Sequence, residues 1–300
     1  VTSAQHHAVR PLDAGAIALI AFLCFCWGFN QVAVKLALPD IPPLIQLTVR
    51  TGGAILMVGA WAALRGIPMF RPDGTLIPGI LSGVLFAAEF ILIYRGLLYT
   101  TAVRAVLFIY FAPFFVVLAS RWLLPADRFR LSQWLGLILS FAGLILAFGL
   151  PAPSAEPYQL MGALMMVGAA ALWAATTMTM KATALQRAPF VKQLLYQLVV
   201  STPIMGAAAW LFGERMAGTP SGLALGSLVY QTVWVAGITF LGWFWLVQRY
   251  SAGRLSAFTF LTPLFGVLAG YLVLGEPLTP AFVLAALLVA AGLILVNRPR

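Results

Sequence analysis

The chain is a succession of apolar runs with almost nothing between them. Runs bounded by charges, Pro and Gly fall at 14–38, 43–64, 75–98, 102–123, 130–150, 158–185, 189–213, 221–249, 253–274 and 279–297. A helix needs ~20 mostly apolar residues to cross the ~30 Å hydrocarbon layer, and each run is long enough. Apolar residues are 62% of the 300 and charged residues 9%, which leaves too little polar surface for a water-soluble fold. The runs are continuous rather than alternating, which argues against an outer-membrane barrel with its two-residue period. The sequence therefore predicts an all-α integral membrane protein of ten transmembrane helices with no soluble domain. The short polar breaks predict that consecutive spans are antiparallel and packed together.

A net charge of +10 would suggest a nucleic-acid partner in a soluble chain, but here the basic residues stand singly between apolar runs. They read as topology signals, and nucleic acid is not an expected partner. The ends and the even-numbered loops hold 13 of the 18: Arg10, Arg65, Arg71, Arg121, Arg128, Arg130, Lys181, Arg187, Lys192, Arg249, Arg254, Arg298 and Arg300. The opposite side holds Lys35, Arg95, Arg104 and Arg215, while Arg50 lies within the second run. Basic residues favour the cytoplasmic side, so both termini are expected there. Residues 1–13, with His6, His7, Arg10 and Asp13, show no apolar core followed by a cleavage site and read as a cytoplasmic tail. Cys24 and Cys26 point to different sides of one helix and suit neither a disulfide nor a metal site.

The two halves repeat. Trp27 with Lys35 is matched by Trp173 with Lys181, an offset of 146, and Arg104 with Pro113 by Arg254 with Pro263, an offset of 150. Gly143-Leu144-Ile145-Leu146 recurs as Gly292-Leu293-Ile294-Leu295. The halves are 14–150 and 158–297, separated by the Pro-rich linker 151–157. Five spans per half is an odd number, so the second half is expected upside down relative to the first. Inverted repeats are the architecture of secondary transporters, whose site lies near the midplane between the halves.

These residues, together with Leu274-Gly275-Glu276 before the last run, resemble the EamA-type members of the drug/metabolite transporter superfamily over 14–297. Within it the pattern is most similar to bacterial exporters of aromatic amino acids. The resemblance implies a multi-pass protein of the bacterial inner membrane that exports small metabolites by alternating access. The first half departs from the family's Gly-Glu, having Leu124-Pro125-Ala126-Asp127, so Glu276 reads as a loop or helix-end residue rather than a transport residue.

Polar residues inside a span are costly and point to function or to helix packing. Asn30 and Gln31 follow Trp27, and Thr176 and Thr177 follow Trp173 at the same offset. An aromatic plate beside neutral hydrogen-bonding groups suits a zwitterion with an apolar side chain. The candidate cavity lining is Trp27, Asn30, Tyr94, Tyr110, Trp173, Thr176, Tyr196 and Trp234. Trp61, Trp122, Trp134, Tyr158, Trp210, Trp243, Trp245 and Tyr250 lie near span ends and read as interfacial anchors. Arg50 and Glu89, the two charges deepest in the spans, are expected to pair; the alternatives are that Arg50 binds a substrate carboxylate or that Glu89 accepts a coupling proton. Pro113 and Pro263 are kinks or hinges.

An enzyme is not expected. His6 and His7 are the only histidines, there is no HExxH or Walker A sequence, and neither a cofactor nor a metal is called for. Spans one and six lack a carboxylate, which disfavours organic cations as substrates. The expected partners are a small-molecule substrate and the bilayer, with a monomer plausible. A channel or lipid-handling protein on the same repeat is the other class.

Overall fold

A computed structural model describes residues 12–69, 71–150, 157–216 and 218–298. The tail residues His6, His7 and Arg10, Arg300, and nearly all of the linker lie outside these. Among the described residues all the elements are helices, and ten spans are long and apolar enough to cross a membrane. They are span 1 (Ala14–Ala37), span 2 (Pro43–Leu64), span 3 (Leu76–Leu97), span 4 (Ala102–Leu123), span 5 (Leu131–Phe148), span 6 (Tyr158–Ala182), span 7 (Phe190–Leu211), span 8 (Gly222–Arg249), span 9 (Ala252–Leu274) and span 10 (Pro280–Asn297). The end of the bundle where span 1 begins is called the near end below, and the other the far end.

The packing corrects the expectation that neighbours in sequence pack together. Spans 1 and 2, and spans 2 and 3, barely touch. The major contacts cross between the halves: 5 on 10, 2 on 7, 3 on 6, 3 on 7, 1 on 8 and 2 on 8. Spans 4 on 6 and 1 on 9 cross between the halves in the same way. Exchanging span 1 with 6, 2 with 7, 3 with 8, 4 with 9 and 5 with 10 maps this set of contacts onto itself. Neither half is a bundle by itself; each completes the other's core.

Lipid-exposed helices gain little from burying apolar surface against each other, so close contact relies on small residues. A Cβ on Gly28 would stand 2.6 Å from the Gly266 nitrogen, and one on Gly136 2.5 Å from the Gly292 carbonyl oxygen. These glycines let spans 1 and 9, and spans 5 and 10, meet backbone to backbone.

Spans 4 and 9 are interrupted at matching places. Span 4 consists of helices Ala102–Ile109 and Ala112–Leu123, and span 9 of Ala252–Phe258, Leu261–Ala269 and a wide-turned segment Gly270–Leu274. Pro113 and Pro263 follow the breaks, where the missing proline N–H leaves a carbonyl one turn earlier without its helical donor. Span 8 carries a ten-residue π-helical stretch, Tyr230–Thr239, which span 3 lacks. Such wide turns re-aim the side chains that follow and cluster at functional sites.

Candidate functional site

The paired tryptophans are brought together by a third. Trp173 stacks on Trp243 with ring centroids 5.9 Å apart at 21°, and Trp27 meets the same Trp243 edge-on at 5.6 Å. Trp243 is buried, not an interfacial anchor, and Tyr250 is buried too. Both lie at the end of a long apolar run, where position along the sequence cannot tell a lipid-facing ring from one turned inward. Trp122, Tyr158, Trp210 and Trp61 are exposed, as interfacial anchors require.

From the tryptophans a line of rings leads sideways. Phe240 contacts Trp27 at 6.4 Å and Phe86 at 6.1 Å, Phe86 contacts Phe90 at 4.8 Å, and Phe90 contacts Tyr94 at 6.4 Å. The Arg50 guanidinium lies 5.3 Å above the Phe90 ring. The π-helical stretch ends at Thr239, whose hydroxyl accepts a hydrogen bond from the Trp27 indole at 2.9 Å while donating to the Val235 carbonyl. Phe240 and Phe90, and Thr239 and Glu89, stand 150 residues apart, so Glu89 occupies in span 3 the place that Thr239 occupies in span 8.

The expected Arg50–Glu89 ion pair does not form. Neither residue is in a salt bridge, because spans 2 and 3 lie against span 7 rather than against each other. Both are buried, and the Arg50 Nε and one Glu89 carboxylate oxygen have no hydrogen-bond partner. Leaving such groups unsatisfied costs several kcal/mol in general. Glu89 stands apart from the other described carboxylates, each of which is committed at a span end. Asp13 accepts from the Ala16 N–H, Asp40 from Ser221, Asp73 from Lys192, Asp127 from Ser251, Glu214 from the Leu44 and Ile45 N–H groups, and Glu276 from Lys35.

Electrostatics at those ends vary with burial. The Lys192 ammonium, with Thr75, holds Asp73 down at about 2, and the Ser221 hydroxyl and N–H lower Asp40. Burial pushes Asp127 and Glu214 up.

The other expected site residues divide. Asn30 is buried with its side-chain oxygen unpartnered. Tyr110 sits at the break in span 4, 6.0 Å from the Phe260 ring at the break in span 9. Thr176 donates to the Leu172 carbonyl and Thr177 to the Trp173 carbonyl, so these hydroxyl donors are spent within their own helix. Tyr196 lies elsewhere: its ring fills the space above Gly79 and its hydroxyl reaches Thr75 at 3.3 Å, near the Asp73–Lys192 pair. Trp234 is part-exposed beside Phe22 and donates to the Cys26 sulfur. Gln197, 147 residues after Arg50, is a buried candidate that the sequence reading missed; its side-chain oxygen has no partner. The repeat could have pointed to it, since Gln46 and Gln193 share that offset and both tie down the loop before their span.

The EamA-like transporter family matches the chain twice, over residues 14–149 and 160–298. The uncharacterized transporter YvbV of Bacillus subtilis is 30% identical over 285 residues, covering 93% of this chain and 90% of its own. The uncharacterized inner membrane transporter YedA of Escherichia coli is 22% identical, covering 92% and 88%. One solved crystal structure superposes with a TM-score of 0.80 at 20% identity, covering 94% of this chain and 96% of that one, a likeness of fold. Ten membrane-spanning helices, packing that exchanges between two halves and a family match to each half lead to one conclusion: the chain is a multi-pass membrane protein of the EamA-like transporter family.

Proposed function

We propose that the protein is a carrier of the bacterial inner membrane that exports neutral amino acids, aromatic ones favoured, by alternating access between its two halves. The observation that carries this reading is the line of rings from Trp173, Trp243 and Trp27 to a buried Arg50 with no carboxylate partner. An aromatic side chain packs among rings, and a carboxylate satisfies a guanidinium with charge-assisted hydrogen bonds. Glu89 and the Asn30 oxygen are acceptors for an ammonium group. One buried cation and one buried anion sum to zero, as a zwitterion does, so neutral substrates are favoured over organic cations.

Reconstituted protein loaded with labelled phenylalanine tests this. Saturable counterflow identifies a carrier and distinguishes it from a channel. Trp27→Ala, Trp173→Ala and Trp243→Ala are expected to lower flux up to about 10-fold, the equivalent of a lost ring–ring contact, with the protein still folded. Arg50→Ala is expected to raise KM for phenylalanine more than it lowers the maximal rate. Normal transport by all of these variants would remove the site, and uptake of nucleosides or sugar phosphates in preference to amino acids would remove the substrate class. The unpartnered Glu89 also favours a second role, acceptance of a coupling proton. Loss of the pH-dependence of flux in Glu89→Gln is the result that reading requires.

A further inference from the structure

The repeat lets each end of the bundle serve as a control for the other. At the near end, Asp127 of the loop before span 5 closes over the start of span 9. It accepts from the Ser251 hydroxyl and from the Ala252 N–H at 3.0 Å. Lys181, at the end of span 6, donates to the Tyr250 carbonyl at 2.8 Å, and the Tyr250 hydroxyl donates to Asp13 at 2.7 Å. Two carboxylates of the first half thus grip the span 8–9 corner of the second.

The matching groups at the far end are all present but arranged differently. Lys35 corresponds to Lys181, Thr100 and Thr101 to Tyr250 and Ser251, and Glu276 lies in the loop that corresponds to Asp127's. Thr101 and Ser251 cap their helices alike, accepting from the N–H of Arg104 and Arg254. Glu276, however, lies back against Gly270 and pairs with Lys35 at 2.8 Å, both side chains about half exposed. The Thr100 hydroxyl is buried without a partner. The near-end halves of spans 4 and 9 pack together, and the far-end halves make no substantial contact. The seam between spans 4 and 9 is thus closed at the near end and parted at the far end.

We propose that Asp127 and Glu276 are the two gate-setting carboxylates of the transport cycle, and that they exchange roles. In the opposite conformation Asp127 releases the start of span 9, and Glu276 swings from Lys35 onto the start of span 4 at Thr101 and Ala102. Lys35 then takes the Thr100 carbonyl, as Lys181 takes that of Tyr250 here. Closing the far end strips water from helix-start N–H groups that need an acceptor. Glu276 supplies one, and the water-exposed pair it leaves is weak. The symmetry of the repeat converts the observed closed end into the geometry of the unobserved one.

The gate rests on the transporter reading but not on the substrate, so its test uses none and can fail while amino-acid export stands. In protein with Cys24→Ala and Cys26→Ala, single cysteines at Ala102→Cys and Ala252→Cys are labelled with a charged maleimide. Ala102 is exposed and Ala252 buried, so the first is expected to react at least tenfold faster. Adding Asp127→Ala should narrow or reverse that ratio, by speeding position 252 and slowing position 102; adding Glu276→Ala as well should abolish the slowing. Faster labelling at 252 with no slowing at 102 means local fraying and overturns the exchange, as does slowing that survives Glu276→Ala. Should Asp127→Ala not fold, cross-linking in the otherwise native chain decides. Glu276→Cys with Thr101→Cys should form a disulfide under mild oxidation, more slowly than Asp127→Cys with Ser251→Cys. Its complete failure, with the second pair linking readily, overturns the proposal.

Discussion

The segments Thr101–Tyr110 and Ser251–Phe260 occupy the same place in the two halves, and one is half open where the other is sealed. Both begin with a hydroxyl cap, then Ala-x-Arg, then a Phe four residues after the Arg. All of Ser251–Phe260 except Arg254 is buried, whereas only Ala105 and Leu107 are buried in Thr101–Tyr110. The sequences differ in bulk: Gly253, Ser256 and Ala257 stand where the first half has Val103, Val106 and Leu107. Small residues admit the neighbouring helix and large ones hold it off. The asymmetry of the conformation is thus partly written in side-chain volume, and the near end is the one built to close tightly.

Adding bulk to the closed end should break that comparison most strongly. A Cβ at Gly253 would stand 2.6 Å from the Phe129 ring and 3.1 Å from a Val117 methyl. Gly253→Leu is therefore expected to cost ~1–3 kcal/mol, the usual range for overpacking, seen as a fall of several degrees in the unfolding temperature in detergent. Val103→Leu, at the matching place in the open end, should leave that temperature unchanged. Equal effects would mean that packing does not distinguish the ends.

Removing the carboxylates gives a smaller contrast. Asp127→Ala loses a buried helix cap and should cost ~1 kcal/mol. Glu276→Ala loses only an exposed ion pair and should lie near zero. A thermal shift as large for Glu276→Ala as for Asp127→Ala would contradict the burial difference.

Acid titration offers the smallest signal and sharpens the comparison by sign. Burial raises Asp127, so protonating it favours the folded state. As pH falls from neutral, wild type should gain stability relative to Asp127→Asn. Asp73 is depressed to about 2 from the ordinary 3.8 by Lys192, so its contribution is present above 3.8 and is lost as pH falls towards 2. Over that lower window wild type should lose stability relative to Asp73→Asn. Slopes of opposite sign to these in pH-dependent denaturation would show that the cap and the pair are not formed as described.

The ten spans, the repeat and the family were legible in the sequence because each is a local or periodic signal. A membrane demands apolar length, and a duplicated gene keeps its anchors at a fixed offset. Trp27 and Trp173 were found that way. Which faces meet was not legible, since the long spans 1, 2, 3, 6, 7 and 10 are apolar on nearly every side and carry little amphipathic stripe to mark the inner one. Trp243 therefore read as an anchor at a span end, Tyr196 and Trp234 as cavity lining, and Arg50 and Glu89 as partners across adjacent helices. The tertiary structure decided these by setting spans 2 and 3 against span 7 and spans 1 and 8 together. That placed Trp243 between the paired tryptophans and left Arg50 over Phe90 without a carboxylate. Contacts between the halves depend on how two interleaved surfaces fit, a property of volumes at distant positions that no run or spacing along one helix records.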